Sequence, residues 1–104
     1  MDNQKLAHNV YFTLKDDSEK AIESLIEDCY LYLKDNPGII SFYVGRLVAE
    51  HDREVNTKDF QVGLHIIFAS KTDHDNYQDS ENHKTFVKRN KPNWSQSRVF
   101  DTYV

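Results

Sequence analysis

Tyr77 and His83 are the residues whose types and spacing point most directly to chemistry. A neutral histidine accepts a proton near neutral pH, and a tyrosine hydroxyl can hydrogen-bond an oxygen on which negative charge develops. The two residues are six positions apart, so on an unbroken helix their side chains point about 120° apart. They share a pocket only if the helix breaks between them. Asp79 and Ser80 lie in that interval, and both are residue types that begin helical segments.

His8 is the third residue of this candidate site. It belongs to an alternating stretch in which His8, Val10 and Phe12 share one face of a predicted strand. If that face meets the helices, His8 points into the same space as Tyr77 and His83. The alternative is a purely structural set of hydrogen bonds, because buried hydroxyl and imidazole groups need partners.

The elements that must position these residues follow from the periodicity of apolar residues. Period-two alternation predicts strands, and a stripe with helical spacing from Ala21 predicts a helix that ends before Pro37 and Gly38. A second helical region, broken near Asp79 to Glu81, ends at Pro92 and Asn93. The predicted strands are residues 8–15, 39–50, 60–70 and 97–104, and the predicted helical regions are about 21–33 and 71–91.

The resulting order, β-α-β-β-α-β, predicts an α+β, ferredoxin-like fold in which both helices cover one face of a four-stranded antiparallel sheet. The other face carries Tyr11, Ile67 and His65. An apolar sheet face does not stay bare in a soluble protein, so we expect two sheets to pack face to face in a homodimer, a dimeric α/β barrel.

Composition excludes several classes of function. The 104 residues suit one domain, residues 1–104, and the net charge of −4 argues against nucleic-acid binding. There is no apolar run of membrane-spanning length and no signal-peptide pattern, so a cytoplasmic protein is expected. The single cysteine, Cys29, lies in the apolar stripe of the first helix and is expected to be buried.

No metal or cofactor is expected from the sequence. Asp73, His74 and Asp75 include metal-ligating types, but three consecutive residues of a helix do not point at one spot. Capping the start of the helix is the simpler interpretation of this segment.

Several segments together resemble one known family, the stress-responsive dimeric α/β barrel (Dabb) family, from about His8 to Tyr103. The family usually carries Tyr-x-x-His-Pro-x-His in its second helical region. Here Ser80 and Glu81 replace the middle His-Pro pair. The segments that carry the resemblance are His8-Asn9-Val10-x-Phe12, Asp59-Phe60-x-Val62-x-Leu64 leading to Phe68, Tyr77 with His83 and Phe86, and Val99-Phe100-Asp101.

The resemblance implies a homodimer that binds a small organic molecule between helices and sheet, in a pocket lined by His8, Tyr77, His83 and Phe86. Some members are polyketide cyclases, which implies His83 as general base and Tyr77 as hydrogen-bond donor. Two other readings stay open: a non-enzymatic interaction protein, and a cofactor-free monooxygenase that would need room for a polyaromatic substrate. Whether the protein is an enzyme is therefore left undecided by the sequence.

Overall fold

The computed structural model describes residues 4–104, which form four strands, three α-helices and one short 3₁₀ turn. The elements follow the predicted order, and Ser18 begins the first helix by accepting a hydrogen bond from the Ala21 amide. The elements are β1 (Leu6–Leu14), α1 (Glu19–Tyr32), β2 (Ile39–Arg46), β3 (Val62–Phe68), α2 (Lys71–Asp79), α3 (Glu81–Asn90), the 3₁₀ turn (Lys91–Asn93) and β4 (Trp94–Tyr103).

The four strands form one antiparallel sheet in the order β2-β3-β1-β4. This is the predicted ferredoxin-like arrangement, with β1 and β3 in the centre. In the register of the sheet His8 lies opposite Ile66 on β3 and opposite Asp101 on β4. The sheet therefore brings Asp101 next to His8, although the two residues are far apart in the chain.

The core lies between one face of the sheet and the helices. Alternate residues of the central strands, such as Val10 and Leu64, pack against Leu25, Cys29 and Phe86 from the helices. Cys29 is fully buried, as expected from its place in the apolar stripe, and burial raises the pKa of its thiol to about 12. Both predicted helical regions thus cover the same sheet face.

The opposite face of the sheet carries aromatic residues that the helices do not cover. Tyr11 packs edge-on against Phe60, His65 and Phe100. Phe100 and Tyr43 remain 54% and 68% exposed. The predicted uncovered apolar face is therefore present in the single chain.

Two strand boundaries differ by three residues or more from those expected. β2 ends at Arg46 and not near residue 50, and β4 begins at Trp94 and not at Ser97. β4 starts earlier because its pairing with β1 continues past an irregularity to Leu14 opposite Trp94. Among residues 4–104 no helix is long and apolar enough to cross a membrane.

Candidate functional site

Ser80 creates the break that brings Tyr77 and His83 together. Its backbone is extended (φ −68°, ψ 150°), so it ends α2 and begins α3. The Ser80 hydroxyl donates to the Tyr77 carbonyl over 2.8 Å and accepts from the His83 amide over 3.1 Å. The ring centroids of Tyr77 and His83 are 4.8 Å apart. The six-residue spacing is therefore compatible with a shared site, because the helix restarts between the two residues.

A cavity of about 180 Å³, called here the Tyr77 cavity, lies between the sheet and the α2–α3 junction. All four residues expected to line a pocket border it: His8 from β1, Tyr77 from α2, and His83 and Phe86 from α3. Tyr77 and Phe86 are each only 2% exposed. The structure thus places the sequence-selected residues around one common space.

Burial determines the protonation of the polar groups around this cavity. It raises the pKa of the Tyr77 hydroxyl far above its usual range, so the hydroxyl stays protonated and can donate a hydrogen bond. Burial, together with nearby His8 and His74, lowers the pKa of the His83 ring, which is therefore neutral and able to accept a proton at pH 7. Neither pKa shift includes a contribution from a hydrogen bond to another described residue.

His8 has a partner that the sequence did not suggest. Its Nδ1 lies 2.5 Å from Oδ1 of Asp101 on β4. Burial lowers the pKa of the His8 ring, and the bond with Asp101 opposes that shift without outweighing it. A carboxylate at Nδ1 fixes the orientation of an imidazole ring and leaves Nε2 as its second polar atom.

Other cavity-lining residues were missed by the sequence reasoning. They are Gln78 beside Tyr77, Ser97 and Val99 on β4, and Trp94. Trp94 packs its ring against Phe12 and Phe86. Its buried indole N–H, however, has no partner among the described residues. Ser97 and Val99 alternate with Asp101 along the last predicted strand and therefore lie on the same face of it. This alternation was the signal that could have identified them as lining residues.

His74 is also drawn towards the site, contrary to the interpretation of residues 73–75 as a helix opening only. Ser70 does cap the start of α2, because its hydroxyl accepts from the Asp73 amide over 3.1 Å and donates to the Asp73 carboxylate over 3.0 Å. His74 instead turns its ring to within 4.9 Å of the His8 ring, centroid to centroid. One potential ligand atom from each of His8, His74 and Asp101 lies within 4.8 Å of the others. These three are the described residues that could hold a metal ion.

Comparisons with known proteins agree on the fold. The family model of the stress responsive A/B barrel domain matches residues 6–104. A Dabb family protein with a ferredoxin-like fold from Mesorhizobium loti is 24% identical, with a TM-score of 0.80 over 95% of each chain. No protein in a comparison with curated sequences matches the chain.

Two other solved structures share the fold at lower identity. Hydroxynitrile lyase from Passiflora edulis is 22% identical, with a TM-score of 0.78 over 98% of this chain and 94% of its own. A dimeric ferredoxin-like protein of unknown function from Thermobifida fusca is 12% identical, with a TM-score of 0.81 over 98% of this chain and 92% of its own. At these identities the likeness shows the fold alone. The match to the family model covers nearly the whole chain, so the chain belongs to the stress responsive A/B barrel domain family.

Proposed function

We propose that this member of the stress responsive A/B barrel domain family binds a small, oxygen-bearing organic molecule in the Tyr77 cavity, as one subunit of a homodimer. One observation carries the proposal. Tyr77 and His83 border a common cavity, and among residues 4–104 their side chains make no hydrogen bond, since their bonds to Ser80 come from the backbone. Polar groups that only complete a core are normally paired with each other or with the backbone. An oxygen atom of a ligand would supply the missing partner.

The walls of the cavity suit a largely apolar ligand with one polar end. Apolar residues such as Val10, Leu64 and Phe86 contribute most of the wall. Its polar groups include those of His8, Tyr77 and His83. This combination is typical of sites for small organic molecules, where a few polar groups set the orientation. Trp94 adds an N–H donor without a partner among the described residues.

The volume limits the size of the ligand. An apolar protein cavity of about 150 Å³ accommodates benzene, and the Tyr77 cavity measures about 180 Å³. A molecule with a single ring fits this space. A polyaromatic substrate does not, so the volume disfavours the cofactor-free monooxygenase reading.

Proton-transfer chemistry is the second function that the site supports. Neutral His83 would remove a proton from the bound molecule, while the Tyr77 hydroxyl hydrogen-bonds the oxygen on which charge develops. Cyclisation by aldol closure would use this pair at a carbon next to a carbonyl. Cleavage of a hydroxynitrile would use it at the hydroxyl: the O–H proton passes to His83, the carbon–carbon bond to the nitrile breaks, a carbonyl forms and cyanide leaves. The shared fold with a hydroxynitrile lyase makes this reaction worth assaying.

Phenol and benzaldehyde are suitable probes, because each has one ring and one oxygen. We expect both to shift the ring resonances of Tyr77 and His83 in a saturable manner in NMR titrations. Tyr77→Phe should weaken phenol binding about twofold to tenfold, the effect of one neutral hydrogen bond. Val99→Trp should abolish binding, because Val99 is half-exposed where it borders the cavity and a larger side chain there fills it.

Tyr43→Phe is the matched control, because Tyr43 is exposed on the other face of the sheet. It should bind phenol as the wild type does. The proposal is wrong if the wild type shows no saturable shift, or if Val99→Trp binds the probes unchanged. With an aromatic hydroxynitrile as substrate, equal rates for His83→Ala and wild type would rule out His83 as the general base.

A further inference from the structure

We propose that His8, His74 and Asp101 form a binding site for a first-row divalent transition-metal ion, with Zn²⁺ as the reference ion. The proposal goes beyond ligand binding in the Tyr77 cavity and does not depend on it. It rests on the convergence of three residues from three elements, β1, α2 and β4. Two imidazoles and one carboxylate are a common protein donor set for zinc and related ions when a further position is left to water.

The sheet and helix α2 bring the three side chains together. His8 and Asp101 are paired across the β1–β4 ladder, and His74 approaches from the first turns of α2. One ligand atom of each lies within 4.8 Å of the other two. Ligand atoms of a tetrahedral zinc site are about 3.4 Å apart, given zinc–nitrogen distances of about 2.1 Å. Small side-chain rotations therefore close the site, and Asp101 has the freedom to make one because it is 39% exposed.

His74 is already oriented as a metal ligand. Its Nδ1 lies 3.1 Å from Oδ1 of Asp75, while its Nε2 is buried and has no hydrogen-bond partner among residues 4–104. Histidine ligands commonly bond a carboxylate through one ring nitrogen and the metal through the other. A buried nitrogen without a partner is uncommon in a native structure. A metal ion would satisfy it.

A second cavity gives an ion a path to this cluster. It measures about 200 Å³, is separate from the Tyr77 cavity and is lined in part by His74, Asp75 and Asp101. His8 lies behind them and borders the Tyr77 cavity instead. The proposed ion is therefore reached from the side of β4, and a water ligand would fill its open position there.

The local charge favours a cation. Asp75 and Asp101 contribute two carboxylates, and the one lysine at this cavity, Lys71, is paired with Asp75 over 2.7 Å. The bond between His8 Nδ1 and Asp101 Oδ1 holds one proton at neutral pH. When an ion binds His8 at Nδ1, that proton moves to Nε2 and the ring stays neutral, so no proton has to be released.

Zinc binding to the untagged, chelator-treated full chain tests the proposal. Isothermal titration and competition with a colorimetric zinc chelator should give one ion per chain, and Co²⁺ should give the visible absorption of a low-coordinate site. We expect His74→Ala to weaken zinc binding by about 100-fold or more, because it removes a ligand. Asp75→Asn should weaken it by about tenfold, because it removes the carboxylate that orients the His74 ring.

His51→Ala is the matched control, because His51 is exposed in the connection between β2 and β3. It should bind zinc as the wild type does. Circular dichroism and thermal unfolding in chelator should show that His74→Ala is folded, and His74→Gln serves in its place if it is not. Wild type that binds no zinc, or His74 variants that bind it unchanged, would overturn the proposal.

The two proposed sites can fail separately. Tyr77→Phe should leave zinc affinity unchanged, and His74→Ala should still bind phenol in the Tyr77 cavity. If zinc does not bind but phenol does, only the metal site is wrong. If phenol does not bind but zinc does, with the His74 dependence described, the metal site stands and the proposed function fails.

Discussion

Asp28 is a charged residue within the buried stripe of α1. Its carboxylate is only 10% exposed and accepts hydrogen bonds from Arg89 Nε over 2.9 Å and from Asn90 Nδ2 over 3.0 Å. Asn90 in turn donates to the Phe86 carbonyl, one turn earlier in α3. This network ties α1 to the end of α3 and so holds the helix that carries His83 and Phe86. A buried carboxylate is tolerated because its lone pairs are used.

Replacing Asp28 by alanine should lower the free energy of unfolding by about 1.5–3 kcal/mol, the range for hydrogen bonds to a charged group. Glu27→Ala is the matched control, since Glu27 is the exposed neighbour on the same helix, and it should change the free energy by less than about 0.5 kcal/mol. Urea unfolding followed by circular dichroism measures both. Equal stabilities for the two variants would show that the Asp28 network contributes nothing.

At the scale of elements, the junction between α2 and α3 decides the geometry of the site. Ser80 ends one helix and caps the next, and its extended backbone matches the conformation required before a proline. Glu81 occupies the first position of α3, where proline is favoured and where the family usually has it. Ser80 therefore produces, without a proline, the same helix break that the His-Pro pair of the family implies.

Glu81→Pro should leave the fold intact and change the free energy of unfolding by less than about 1 kcal/mol, because position, backbone and exposure all suit proline. Lys84→Pro is the contrasting variant. The Lys84 amide donates to the Ser80 carbonyl over 3.1 Å, so this change should cost about 3 kcal/mol or more. Thermal unfolding distinguishes the two variants. Strong destabilisation by Glu81→Pro would contradict the description of Ser80 as the residue at which α2 ends and α3 begins.

At the scale of the whole molecule, a single chain leaves the aromatic residues on one face of the sheet exposed to water. Tyr11, Tyr43 and Phe100 line two open hollows on that face, of about 460 Å³ and 350 Å³. Packing against a second sheet would fill them and remove the exposed aromatic rings from water. The exposed rings and the open hollows support the proposed homodimer.

A double variant, Tyr43→Lys with Phe100→Lys, should be monomeric at micromolar concentration, while the wild type should sediment as a dimer. Four lysines would then meet across the two-fold axis of an interface expected to bury about 1,200–2,000 Å². Val55→Lys is the control, because Val55 is 81% exposed outside the sheet, and it should stay dimeric. A wild-type monomer in sedimentation equilibrium would contradict the dimeric barrel.

The sequence by itself determined the order of the elements, the sheet face that meets the helices and a helix break near Asp79 to Glu81. These are local properties, because apolar periodicity and capping residues act over a few positions of the chain. The burial of Cys29 followed from the same helical stripe. Periodicity placed His8 on one strand face with Val10 and Phe12, whereas the pocket shared by His8, Tyr77, His83 and Phe86 was implied by the resemblance to the family.

Only the tertiary structure decided which polar side chains meet. The pairs His8–Asp101 and Asp28–Arg89 join residues 93 and 61 positions apart, and no local pattern encodes such contacts. His74 was dismissed as part of a helix opening because consecutive helical residues diverge. That argument considered ligands from α2 alone, whereas packing brings His8 and Asp101 to His74 from two strands. Strand register and helix packing, not spacing in the chain, therefore create the proposed metal site.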